Sequence, residues 1–158
     1  MSLGITVDSL NIARTWAVLT AAFDAAPTEI LARGARWANL YCVYERGAAS
    51  GAVDVRVEYS PFTVDRTTGA ATNWYRATVE DIGVFAAGAD VDADVQRRGI
   101  RTYESTAAGT ETFVIGAIEI ARGAERIRVA CAESGDEQSP GECEVIVMLS
   151  DTSLIAMS

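Results

Sequence analysis

Two blocks, one in each half of the chain, share a strand–turn–strand pattern, and this repetition restricts the fold more than any single residue. The first opens on Arg33-Gly34-Ala35, runs through Trp37, Tyr41, Cys42 and Glu45 to a turn at Gly47, and resumes over residues 53–60. The second opens on Arg122-Gly123-Ala124, runs through Ile127, Val129, Cys131 and Glu133 to a turn at Gly135, and resumes over residues 143–150. In residues 53–60, Val53, Val55, Val57 and Tyr59 alternate with Asp54, Arg56 and Glu58. A period of two is the mark of an antiparallel strand with one face in a core. A chain that repeats such hairpins buries their apolar faces by setting one sheet against another.

The remaining segments read as strands too. Residues 16–20, 29–32, 37–45, 73–79, 110–120, 126–129 and 143–150 are candidates, the third rich in aromatic and branched side chains. Residues 110–120 are apolar on both faces in the middle, which predicts a central strand or one covered on its outer side. A helix competes only over residues 5–20, where Leu10, Arg14, Ala17 and Val18 fall on one helical face; an extended arm or strand is the preferred reading. The sequence therefore predicts an all-β single domain over residues 1–158. The expected architecture is an antiparallel β-sandwich, jelly-roll-like, with an extended N-terminal arm over residues 1–14 and one long charged loop over residues 81–108.

Charge and residue choice then exclude chemistry. The formal net charge is −9, and all 13 basic residues are arginine. An acidic chain repels phosphate backbones, so nucleic acid is not an expected partner. Arginine suits fixed bidentate contacts with carboxylates at interfaces. Without histidine there is no Ser-His-Asp or Cys-His arrangement and no imidazole metal ligand. Without lysine there is no Schiff base and no phosphate-loop lysine. Carboxylates are abundant, yet nothing singles out a pair with glycosidase spacing. The expectation is a non-enzyme with no catalytic residues, no cofactor and no metal. Apolar runs fall short of the ~20 residues of a membrane helix, so no membrane partner is expected. Residues 1–4 lack a basic cluster followed by an apolar stretch, which predicts synthesis in a cytoplasm without a secretory signal.

Contact sites are the remaining candidates. The short apolar stretches of the arm lack partners in the repeated blocks, so Ile5, Val7, Leu10, Ile12 and Arg14 are predicted to lie on a neighbouring molecule. In the long loop an acidic group, Asp90, Asp92 and Asp94, precedes a basic one, Arg97, Arg98 and Arg101; this predicts either a solvated loop or charge blocks that pair with each other or with another copy. The acidic run resembles the start of a calcium loop, but Val95 stands at the glycine position and Arg101 at the bidentate glutamate, which breaks the motif. Cys131 and Cys143 flank residues 132–142 and fit opposite places on paired strands, where a disulfide is possible below ~7 Å between Cα atoms. Cys42, expected opposite Val53, matches a buried position, and three reduced thiols are the default in a cytoplasmic product. Trp37, Tyr41, Tyr44, Tyr59, Phe62, Trp74 and Tyr75 cluster in the first half, as core packing or, on an exposed sheet, as a platform for sugar rings.

Residues 35–44 (Ala-Arg-Trp-Ala-Asn-Leu-Tyr-Cys-Val-Tyr), a glycine turn, Val55-Arg56-Val57-Glu58-Tyr59-Ser60 and then Asn73-Trp74-Tyr75 resemble a pattern in small β-sandwich structural proteins of tailed bacteriophages. Residues 123–129, Gly141 and the last strand resemble the closing part of that pattern. The resemblance covers about two-thirds of the chain and rests on strand spacing plus one tryptophan. It implies a virion component, foremost a capsid decoration (cement) protein that binds a major capsid protein on the outside of a phage head, often as a homotrimer. A carbohydrate- or receptor-binding module and a tail or head–tail connector subunit are the alternatives.

Overall fold

The computed structural model describes residues 9–32, 34–61, 74–76, 100–121 and 123–151. Among them the chain forms nine strands and no helix: β1 (Ser9–Val18), β2 (Ile30–Leu31), β3 (Trp37–Glu45), β4 (Ala52–Pro61), β5 (Tyr75–Arg76), β6 (Ile100–Glu104), β7 (Thr110–Glu119), β8 (Ala124–Glu133) and β9 (Glu142–Ser150). One sheet has the order β1-β9-β3-β7; the other has the order β2-β8-β4-β5, with β6 also on β4. Every pairing is antiparallel.

The pairings β1·β9, β2·β8, β3·β7 and β4·β6 describe one long antiparallel ribbon whose two arms meet strand by strand. Rolling that ribbon brings β3 against β9 and β4 against β8, and this is the jelly roll. The expected all-β sandwich is therefore present. Its local connectivity differs from the hairpins read in the sequence. β3 and β4 lie in different sheets, as do β8 and β9, so each repeated block is an arch spanning the sandwich. Alternation along a strand specifies which side faces the core; it does not specify which strand supplies the neighbouring hydrogen bonds. Cys42 accordingly pairs with Phe113 and Val145 rather than Val53, and Cys131 and Cys143 face each other from opposite sheets.

The two arches are pseudo-equivalent. Ala38, Leu40, Cys42 and Tyr44 match Ile127, Val129, Cys131 and Glu133; Val53, Val55, Val57, Tyr59 and Ser60 match Cys143, Val145, Val147, Leu149 and Ser150. All eighteen are buried and form most of the core. The turns that open the arches also match. Ala35 N–H donates to Ala32 and Ala124 N–H to Ala121, both at 3.0 Å, around glycines with φ of +74° (Gly34) and +84° (Gly123). A side chain at either glycine would strain that backbone.

At the far end the arches are tied by Glu133. Its buried carboxylate accepts hydrogen bonds from the Tyr44 hydroxyl at 2.9 Å and from the N–H groups of Ala52, Gly135 and Gly141 at 2.8–3.0 Å. Four donors satisfy the charge that burial strips of water. They also fix both crossing turns against one side chain.

β7 is an edge strand with Val114 exposed on its outer side, neither the central strand nor the covered one expected from its apolar middle. A bulge opposite residues 38–40 moves the inward set from Phe113 and Ile115 to Ile118 and Ile120, and this shift accounts for apolar residues at both parities. Residues 100–104, expected within the long loop, form β6 on β4.

Candidate interaction face

The outer face of the four-stranded sheet carries an apolar row. The register places Ile12 of β1 beside Ile146 of β9, Ile146 beside Tyr41 of β3, and Tyr41 beside Val114 of β7. One outward residue from each strand thus makes a continuous line. Ile12 is 55% exposed, Val114 58% and Tyr41 37%. Leu10, 69% exposed, begins a second row beside Met148, which in turn pairs with Asn39. Gly116 sits against the Asn39 side chain, where a Cβ would meet its Oδ1. The row ends at one side in acid: Glu45 pairs with Glu142, and Val43 with Glu144. Scattered exposed apolar residues are ordinary; a contiguous set is the less common arrangement, and it makes this face the candidate.

The outer face of the other sheet is closed by its own chain. Arg56 and Arg128 both reach the Glu58 carboxylate, at 3.4 and 3.2 Å. The Phe23 ring lies 4.2 Å from the Arg56 guanidinium carbon, and the Trp74 ring 4.1 Å from that of Arg128. Glu58 is buried although it points away from the core, as is Asp54, which accepts from the Thr102 hydroxyl at 2.6 Å. The strand expected to be half-buried is buried on both sides.

The predicted contact residues divide accordingly. Ile5, Val7, Asp90, Asp92, Asp94, Arg97 and Arg98 lie outside the described residues. From Ser9 onward the expected arm is strand β1, hydrogen-bonded along β9. Leu10 and Ile12 stand on the apolar face, as a contact role requires. Arg14 does not: its Nε pairs with Asp24 at 2.9 Å, and its guanidinium donates to the carbonyls of Ala17 and Val18. Arg101, on β6, is half-buried opposite Val55 and engaged within the fold. Tyr41 enters the sequence reading only as an aromatic, and Ile146, Met148 and Val114 do not enter it as contact residues. Their signal is the apolar residue at an outward position, Ile146 and Met148 between the inward positions of β9, Tyr41 on β3 and Val114 on β7.

Other chemistry has little to build on. A cavity of about 490 Å³ near the arch turns is lined by Ser50, Thr102, Glu104, Ser105 and Ser134 among small residues, with no aromatic ring. Among the described residues, no group of three or more cysteines and carboxylates is arranged to hold a metal ion. Tyr41 and Tyr75, both exposed, belong to different sheets and share no face; Trp16, also exposed, is on β1 of the sheet that holds Tyr41. No protein-family model matches this sequence, and no curated protein matches it either.

Proposed function

We propose that this chain is a non-enzymatic virion structural protein of the tailed-phage kind, a capsid decoration (cement) protein that binds shell subunits through the outer face of its four-stranded sheet. The observation that carries this reading is the Ile12–Ile146–Tyr41–Val114 row, exposed on a body whose opposite face is closed by an internal ion network. The jelly-roll architecture is one that viral capsid domains use, alongside lectins and cupins.

Size gives the reading its second part. Four strands at ~4.8 Å spacing and nine residues at ~3.3 Å make a face of roughly 19 by 30 Å. That is below the ~800 Å² per partner of a standard stable interface. A single copy therefore binds weakly, and linked copies that engage several shell sites at once bind strongly without new contacts. A homotrimer is the assembly proposed, with the major capsid protein as partner and the virion surface as location.

Light scattering of the purified chain, paired with co-sedimentation on phage particles, tests it. A trimer that sediments with particles, and an Ile12→Asp/Val114→Asp variant that stays folded but remains in the supernatant, are the expected results. A larger ring would point to a tail or connector subunit. A monomer that ignores particles and binds on a glycan array would replace the reading with a carbohydrate-binding module.

A further inference from the structure

The three cysteines of the chain converge in one layer of the core. Cys42 on β3 and Cys143 on β9 face inward from adjacent strands, with Cys143 paired to Tyr44 and Cys42 to Val145. Cys131 faces them from β8 in the other sheet, and all three are buried as free thiols. The backbones of Cys131 and Cys143 are held by the two halves of one ion pair. Asp24 accepts from the Cys131 N–H at 3.0 Å and its own N–H donates to the Cys131 carbonyl at 3.2 Å. Arg14, bound to Asp24 at 2.9 Å, donates to the Cys143 carbonyl. The Arg14–Asp24 pair thus clamps the two cysteine positions together from opposite sheets.

We propose that Cys131 and Cys143 are a latent inter-sheet cross-link, a dithiol that closes to a disulfide when the protein meets a disulfide oxidant. Facing sheets accept such a bridge, as antibody domains do between their own sheets. Both side chains project into the same buried layer, and the Arg14–Asp24 pair keeps their backbones facing one another. The remaining approach is to the ~2.05 Å of an S–S bond.

The exchange is written with oxidised glutathione. The Cys143 thiolate attacks one glutathione sulfur, its S–S bond breaks, and a first glutathione thiolate leaves, giving a mixed disulfide on Cys143. The Cys131 thiolate then attacks the Cys143 sulfur and expels the second glutathione. Two protons pass to solvent and two electrons to the oxidant. Cys143 is the first nucleophile because the hydrogen bond from Cys131, with the nearby Arg14 charge, holds its thiol below the ordinary range, while Cys131 is held above it. Burial makes the reaction slow: Cys143 lies under edge strand β1, opposite Ala17, so the oxidant enters when β1 opens.

The test incubates the reduced full chain with oxidised glutathione, denatures it with iodoacetamide and maps the alkylated peptides. A 131–143 disulfide with Cys42 alkylated is the expected product, with Tm higher by roughly 5–10 °C than in the reduced chain. Cys42→Ala should still form the bridge and Cys143→Ser should not. Three alkylated cysteines after prolonged oxidation, or a bridge through Cys42, would overturn the proposal. Mapping of the unaltered chain decides the matter even where a variant fails to fold.

Discussion

The internal repeat places Arg56, Glu58 and Arg128 on one sheet at positions matched by Ile146, Met148 and Asn39 on the other. The backbone frame is the same: Glu58 pairs with Arg128 across its strands as Met148 pairs with Asn39 across theirs. The outward chemistry is opposite. On the five-stranded sheet two guanidinium groups share the Glu58 carboxylate beneath Phe23 and Trp74. On the four-stranded sheet the matched positions are apolar or amide, and their row runs out to exposed Ile12 and Val114. Because both faces sit on equivalent strands, the difference is not forced by the fold. It teaches that one face is spent on holding the chain together, while the other carries an apolar row that no such network covers.

The strongest way to break this comparison is Glu58→Ala. If the covered face is structural, the change leaves two half-buried guanidinium groups without their shared carboxylate, and the expected loss is about 3 kcal/mol in urea unfolding. A loss nearer ~0.5 kcal/mol would make the network an ordinary surface cluster and remove the contrast.

Alkaline titration separates the buried layer from both faces. Burial holds the Cys42 thiol and the Tyr44 and Tyr59 hydroxyls above their ordinary ranges, the first-named influence being desolvation in all three, with Glu133 adding to it at Tyr44. These groups stay protonated in the folded chain where the unfolded chain begins to lose protons. Stability is intact below the ordinary pKa values of 9.0 for cysteine and 10.0 for tyrosine, and falls as pH rises beyond them. Each proton released only on unfolding costs about 1.4 kcal/mol per pH unit. Unfolding followed by circular dichroism from pH 8 upward should show the decline starting near pH 9, and a flat profile to pH 11 would contradict the burial of these groups.

Trp74→Ala refines the picture of the covered face at smaller scale. Removing the ring over Arg128 should cost about 1 kcal/mol, and a double-mutant cycle with Arg128→Ala should return most of it as coupling. Additive losses would show that the ring shields the sheet without attracting the guanidinium.

How much of this was legible in the sequence follows from what each pattern encodes. Period two in residues 53–60 and 143–150 fixed the inward rows correctly, since burial depends on the strand's own alternation. Pairing partners did not follow, because Cys42 meets Val145 through a return of the chain from a hundred residues away, and no local signal carries that register. The same limit applied to the faces. Leu10 and Ile12 stand out in the sequence as apolar residues without partners in the repeated blocks, yet Tyr41 and Val114 join them only through cross-strand register. Arg14, expected on a neighbouring molecule, is instead a half-buried clamp within the fold, for its acceptors are Asp24 and backbone carbonyls that sequence alone does not bring near. Glu133 gave no warning either: it matches a tyrosine in the other arch, and only folding surrounds it with four donors.

The smallest expected effect on stability is the most informative about function. Ile12→Asp with Val114→Asp places two carboxylates at exposed positions on edge strands, each beyond hydrogen-bond reach of the core. Monomer stability should change by no more than about 0.5 kcal/mol per site in urea unfolding, as at other surface positions. The same pair would have to be desolvated in any complex formed on this face, where an unpaired buried charge costs several kcal/mol. A fall in affinity for particles of at least a hundredfold, roughly 3 kcal/mol, is therefore expected with folding intact. Equal tolerance in both measurements would mean that the apolar row faces water in the working protein, and the two outer faces would differ without one of them being reserved for contact.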